Sequence, residues 1–180
     1  MIGIDANPEQ IKRVGLSFTY RIAEDPKAPL VLLVHGRGGD RNVMWSFNRS
    51  IPSNFHILAP EAPLMDPEIG GYSWWLIHDR ENRDSMIAES VTRLTEFYRL
   101  VLGALALEPE VCIACGFSQG GALLSEVVNQ NLIPCAGLGL LSSFVLPRVF
   151  RADLPEVFIA HGRHDEIIPL EKAYEGKDRL

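Results

Sequence analysis

The 180 residues contain no basic block, no apolar run of transmembrane length and no internal repeat. Each absence removes a class of function. A net charge of −6 without clustered Lys or Arg argues against nucleic acid or an anionic membrane as partner. Without a long apolar run, integral membrane association is not expected. Met1 to Pro8 lacks a charged start and a long apolar core, so it does not read as a signal peptide. Cysteine is scarce, and the three present cannot all pair. Cys112 and Cys115 fall in one apolar run, where a strand would turn them to opposite faces. A redox or metal pair needs a loop or further ligands, and neither accompanies them. Buried free thiols and no metal site are the expectation, which fits a cytoplasmic protein.

What is present suits a soluble globular chain. Hydrophobic residues make up 47% and charged residues 22%. The length allows one domain over residues 1–180 with a sizeable core.

Apolar runs alternate with helical patterns along the chain. Val14 to Ala23 has alternating and aromatic character and predicts an edge strand or hairpin. Leu30 to Val34, Phe55 to Ala59, Val111 to Cys115, Cys135 to Leu141 and Val157 to Ala160 read as further strands. The run at 111–115 predicts a central strand buried on both faces. Asn42 to Ile51 predicts a short helix closed by Pro52, and another helix should start near Leu170. Ile87, Val91, Leu94, Tyr98, Val101 and Leu105 recur at spacings of four and three, the stripe of a helix packed on a sheet. The pattern predicts an α/β fold with an open, mostly parallel sheet. Sites in such sheets lie beyond the carboxyl ends of the strands.

Three strands end in loops of functional type. The most informative is Gly116-Phe117-Ser118-Gln119-Gly120, between the run at 111–115 and the helical pattern of Ala122 to Asn129. Strand, Gly-x-Ser-x-Gly, helix is the nucleophile elbow. Its tight turn strains the serine backbone and holds the oxygen out at the sheet edge. The Gln119 N–H then lies at a helix N-terminus, where it can stabilise an oxyanion. The alternative is a chance pattern in a glycine-bearing loop. His35-Gly36-Arg37-Gly38-Gly39 follows an early strand, and the Arg37 backbone N–H is the natural second donor. Asp165 follows the last strand, and the order serine then aspartate suits a triad acid, a solvated loop acid being the plainer reading.

With these residues in place, the chain resembles the phospholipase/carboxylesterase family of α/β-hydrolases, which includes acyl-protein thioesterases. The resemblance rests on Leu32 to Gly39, Ala59 to Pro63, Gly71 to Trp75, Gly116 to Ala122 and His161 to Pro169, in the family's order. It implies cofactor-free hydrolysis of a small-molecule carboxylic ester or thioester. Ser118 would be the nucleophile, Asp165 the acid, and the Arg37 and Gln119 amides the oxyanion hole. Trp74 and Trp75 match an aromatic pair on the wall near the acyl site, with plain packing as the alternative.

The chain departs from that pattern in one respect. The family places a catalytic histidine downstream of the aspartate, and residues 166–180 contain none. The five histidines are His35, His56, His78, His161 and His164. His35 and His161 match strand-end histidines that are not the base. The expectation is a C-terminally shortened form, lacking the last strand and closing helix and poor as an esterase. A non-catalytic acyl-binding protein is the competing class. A dienelactone-type hydrolase normally uses cysteine, which serine at 118 counts against. An exposed sheet edge would make a homo-oligomer possible.

Overall fold

In a computed structural model, residues 15–180 are described. Met1 to Pro8, and Val14 at the start of the expected edge element, lie outside them. The strands are β1 (Phe18–Arg21), β2 (Leu30–Val34), β3 (His56–Pro60), β4 (Leu64–Met65), β5 (Tyr72–Ser73), β6 (Cys112–Phe117), β7 (Gly137–Leu141) and β8 (Glu156–Ala160). The helices are α1 (Arg83–Ala104), α2 (Gln119–Asn129) and α3 (Glu171–Arg179). Six strands form one sheet in the order β1-β3-β2-β6-β7-β8. Only β1 runs antiparallel, against β3. β4 and β5 make a separate two-stranded ribbon. The expected mostly parallel α/β sheet is observed.

The helical stripe reads through to the structure. Ile87, Val91, Leu94, Tyr98 and Val101 are all buried on α1, with Phe97 among them. They pack with Leu30, Leu32, Cys112, Ala114 and Leu138 of the sheet. α2 is buried from Gln119 through Val128, so it has no solvent face over that span. This one face of the sheet, with α1 and α2 on it, carries the main core.

The other face is covered unevenly, and here the expectations need correction. Asn42 to Ile51 yields a 3₁₀ segment at Met44–Arg49, not an α-helix. It covers Val31, Leu33, Ile57 and Ala59 through Met44 and Trp45. Of β6, only Cys115 joins this cluster. That strand alternates instead of being buried on both faces: Cys112, Ala114 and Gly116 are inside, while Ile113 and Phe117 are 36% and 41% exposed. Ile113 stands in register with Gly137 of β7, and Cys115 with Gly139, which in turn pairs with Phe158 of β8, 66% exposed. An all-apolar run reads alike whether one face or two are covered, so the pattern at 111–115 did not separate the cases. Cys112 and Cys115 do face opposite sides, each in a different apolar cluster. All three thiols are free.

This asymmetry makes a testable contrast. Phe97→Ala removes a ring of zero exposure and should cost about 3–5 kcal/mol. Phe158→Ser alters a ring mostly in solvent and should change stability by no more than ~0.5 kcal/mol. Urea denaturation of both variants checks this, and similar losses would refute the assignment of faces.

Candidate active site

Ser118 sits between β6 and α2 with φ 50° and ψ −119°. Few non-glycine residues adopt a positive φ, and such strain persists only where its surroundings over-determine it. Here they do. The Ser118 N–H donates to the Leu141 carbonyl at 2.9 Å. The Ser118 carbonyl accepts the Ser143 hydroxyl at 2.7 Å and the N–H groups of Gly121 and Ala122 at 3.1 and 3.2 Å. The turn closes because Gly116 lies against the Gly120–Gly121 peptide: a Cβ on Gly116 would fall 2.5 Å from the Gly121 nitrogen. Ser143 was not legible in the sequence; it acts through the backbone from the end of β7.

The His35–Gly39 loop lies against this serine. A Cβ on Gly36 would come within 3.1 Å of Ser118 Cβ, so only glycine lets the loop approach so closely. His35 is buried and fully engaged. Its Nε2 accepts the Ala62 N–H at 2.9 Å, which leaves the proton on Nδ1 to be donated to the Gly36 carbonyl at 2.7 Å. Burial pushes its pKa down, which keeps the ring neutral in that role. The Gly39 N–H reaches the same carbonyl at 3.2 Å. The Gly36 carbonyl and the Arg37 N–H belong to one planar peptide, so fixing the first aims the second the opposite way. Among the described residues, neither the Arg37 nor the Gln119 amide has a hydrogen-bond acceptor. Both remain free donors beside the serine.

The Arg37 side chain turns to other work. Its Nε donates to Asp66 Oδ2 at 2.7 Å, and its Nη2 to Asp66 Oδ1 at 3.2 Å and to Glu68. The Gln119 side chain is a clamp. Its Oε1 accepts the Trp74 N–H at 2.8 Å and its Nε2 donates to the Trp75 carbonyl at 2.8 Å.

That clamp holds a tryptophan pair that lies inside the protein. Trp74 has no exposed area and Trp75 only 3%. The Trp74 indole N–H donates to the His35 carbonyl at 2.9 Å, and Trp75 meets Phe144 edge to face. A ring with no exposed surface cannot line a substrate wall as it stands. Both rings are packed inside the protein, the alternative the sequence left open.

Asp165 lies in the loop after β8, at the same sheet edge as Ser118 and one strand beyond β7. Its Oδ1 accepts the Ile168 and Ile167 N–H groups at 2.9 and 3.0 Å. Those bonds, Ile168 foremost, and then Ser142 and the nearby His161, hold the carboxyl below its usual range. It is an anion at neutral pH. Its Oδ2 is 3.7 Å from His161 Nε2, but that nitrogen donates to the Ile168 carbonyl at 2.6 Å.

No imidazole hydrogen-bonds Ser118 among the described residues. His35 has both ring nitrogens engaged, while His161 has Nε2 engaged and a buried Nδ1 without a hydrogen-bond partner among the described residues. His56 accepts the Ala23 N–H and reaches the Pro26 carbonyl on the far side of β3. His78 is exposed, 3.8 Å from Glu68, and His164 is exposed. The structure thus brings together the serine, two free amides and a carboxylate at the shared edge, and supplies no base at the serine. Among the described residues no group of His, Cys, Asp and Glu is arranged to hold a metal, and no helix is long and apolar enough to cross a membrane.

Comparison with known proteins places this arrangement. The phospholipase/carboxylesterase family model matches residues 20–180. Among solved structures, esterase PE8 is similar at 23% identity and TM-score 0.76, over 91% of this chain and 82% of that one. A carboxylesterase of Bacillus cereus matches at 19% identity and TM-score 0.70, over 91% and 78%. Acyl-protein thioesterase 2 of Zea mays matches at 15% identity and TM-score 0.67, over 89% and 82%. At these identities the neighbours establish the fold. Among curated proteins none matches the sequence. The family match over nearly the whole chain, on a sheet carrying the elbow, shows that the chain belongs to the phospholipase/carboxylesterase family.

Proposed function

We propose that the chain carries the acyl-transfer half of a serine hydrolase acting on carboxylic esters or thioesters. Ser118 Oγ attacks the acyl carbonyl carbon, the carbonyl oxygen becomes an oxyanion between the Arg37 and Gln119 N–H groups, and the alcohol or thiol departs. Water then cleaves the resulting Ser118 ester. Asp165 would orient an imidazole that takes the serine proton and, as imidazolium, returns it to the departing group. The observation that carries this reading is the strained Ser118 flanked by two unpaired amides.

The step without a resident group is proton removal. Loss of the histidine from such a triad costs on the order of 10⁶ in turnover. The 180-residue chain should accordingly be a weak esterase unless a base is supplied. Imidazole in solution supplies one. p-Nitrophenyl acetate hydrolysis by the wild-type chain should rise with imidazole at least about tenfold more steeply than that of Ser118→Ala, in keeping with the 10²–10⁴ that a positioned general base contributes. Equal imidazole dependence in the two proteins would sink the proposal. A non-catalytic acyl-binding role is the second reading, favoured by the lack of an imidazole at Ser118. It predicts ester-dependent thermal stabilisation without Ser118-dependent turnover.

A further inference from the structure

Asp66 is a carboxylate with no exposed side-chain surface, close to the proposed oxyanion loop and absent from the family motifs read above. Burying a charge costs several kcal/mol unless its partners compensate. Five donor contacts do so: Arg37 Nε and Nη2, the Ser73 hydroxyl at 2.9 Å, and the N–H groups of Glu68 and Ile69 at 3.0 and 3.4 Å. Arg37 is the main cause holding Asp66 in its ionised form, well below the usual carboxyl range.

The connections lead to one place. An ionised carboxylate only accepts, so the Ser73 proton is committed to Asp66. The Ser73 oxygen then receives the Gly38 N–H at 3.2 Å. Asp66 therefore grips the peptide after Arg37 through Ser73, and the Arg37 side chain directly. From the other flank, the Tyr72 N–H donates to the Gly39 carbonyl at 2.8 Å. A loop needing only to be covered would be served by apolar packing; these contacts fix its orientation. We propose that Asp66 is a positioning residue, which acts through Ser73 and the Arg37 guanidinium to aim the Arg37 backbone N–H at the substrate oxygen. The inference rests on the acyl-transfer reading of Ser118.

The test uses Asp66→Asn, the milder Ser73→Ala, and Ser73→Thr, which keeps the hydroxyl. Two readouts are taken on the full chain. The first is amide hydrogen exchange by NMR at Gly38 and Gly39, which needs no activity. Both Asp66→Asn and Ser73→Ala should raise exchange there about tenfold or more, with the β2 and β6 amides unchanged and Ser73→Thr near wild type. The second is imidazole-supported p-nitrophenyl acetate hydrolysis. A misaimed donor should lower kcat about tenfold to a hundredfold, less than the 10²–10³ lost when a donor is removed, and leave KM within about twofold. Unchanged exchange at Gly38 and Gly39 in folded Ser73→Ala overturns the positioning role. So does unchanged kcat where wild-type turnover depends on Ser118. If turnover never depends on Ser118, the acyl-transfer reading fails by itself, and the exchange result still decides whether Asp66 orders the loop.

Discussion

Gly120→Ala is expected to lower stability by more than about 3 kcal/mol, beyond the usual cost of overpacking a core. Gly120 is buried in the first turn of α2, directly over the end of β2. A Cβ there would lie well under 3.0 Å from the carbonyl oxygens of Val34 and His35. Those are backbone atoms, and β2 is paired on both sides, to β3 and β6. Neither neighbour can swing aside as a long side chain would. At about 2–4 °C per kcal/mol for a chain of this size, the midpoint should fall by roughly 6–12 °C or more. Gly103→Ala is the matched control. Gly103 lies in α1 with nothing within 4 Å of its would-be Cβ, so alanine should stabilise by about 0.5–1 kcal/mol. Thermal melts of the pair check both signs. A Gly120→Ala protein melting with wild type would mean that α2 does not sit on β2 as described.

Gln119→Ala should cost about 2–6 kcal/mol. The side chain is buried and satisfies two buried backbone groups, the Trp74 N–H and the Trp75 carbonyl. Leaving a buried polar group unpaired costs about 1–3 kcal/mol each. Gln119→Glu separates the two bonds. An acid oxygen still accepts from Trp74, but an ionised one faces the Trp75 carbonyl without a proton to give. The folded state then favours the protonated acid and raises its pKa above the unfolded value of about 4.3. The penalty is present at neutral pH and relieved as pH falls toward that value. Urea denaturation at pH ~7.5 and ~4.5 should show the gap between Gln119→Glu and wild type narrowing at the lower pH. A constant gap would place the acid in water instead of in the clamp.

Legibility in the sequence followed the range over which each cause acts. The elbow was readable because its demands are local: two glycines, one serine, an apolar strand before and a helix after. The position of Asp165 after a strand was readable from the apolar run before it. The stripe on α1 was readable because helical spacing records burial directly. The single covered face of β6 was not, since Val111 to Cys115 is apolar throughout and carries no alternation. Trp74 and Trp75 were ambiguous because aromatic rings suit a ligand wall and a core equally well. Asp66, Ser73 and Ser143 were invisible because their roles run through contacts between segments distant in sequence, ending on backbone atoms that no residue type announces. Gln119 was read for its amide alone, while its side chain proved to be the tie between the elbow and the tryptophan pair.

The central claim is that Ser118 is the acyl acceptor. Peptide mapping by mass spectrometry, after brief exposure of the chain to p-nitrophenyl acetate with imidazole, tests it most directly. The account predicts acetyl on the peptide bearing Ser118, lost in Ser118→Ala and diminished in Asp66→Asn. Acetyl found only on lysines, at equal levels in wild type and Ser118→Ala, would contradict it.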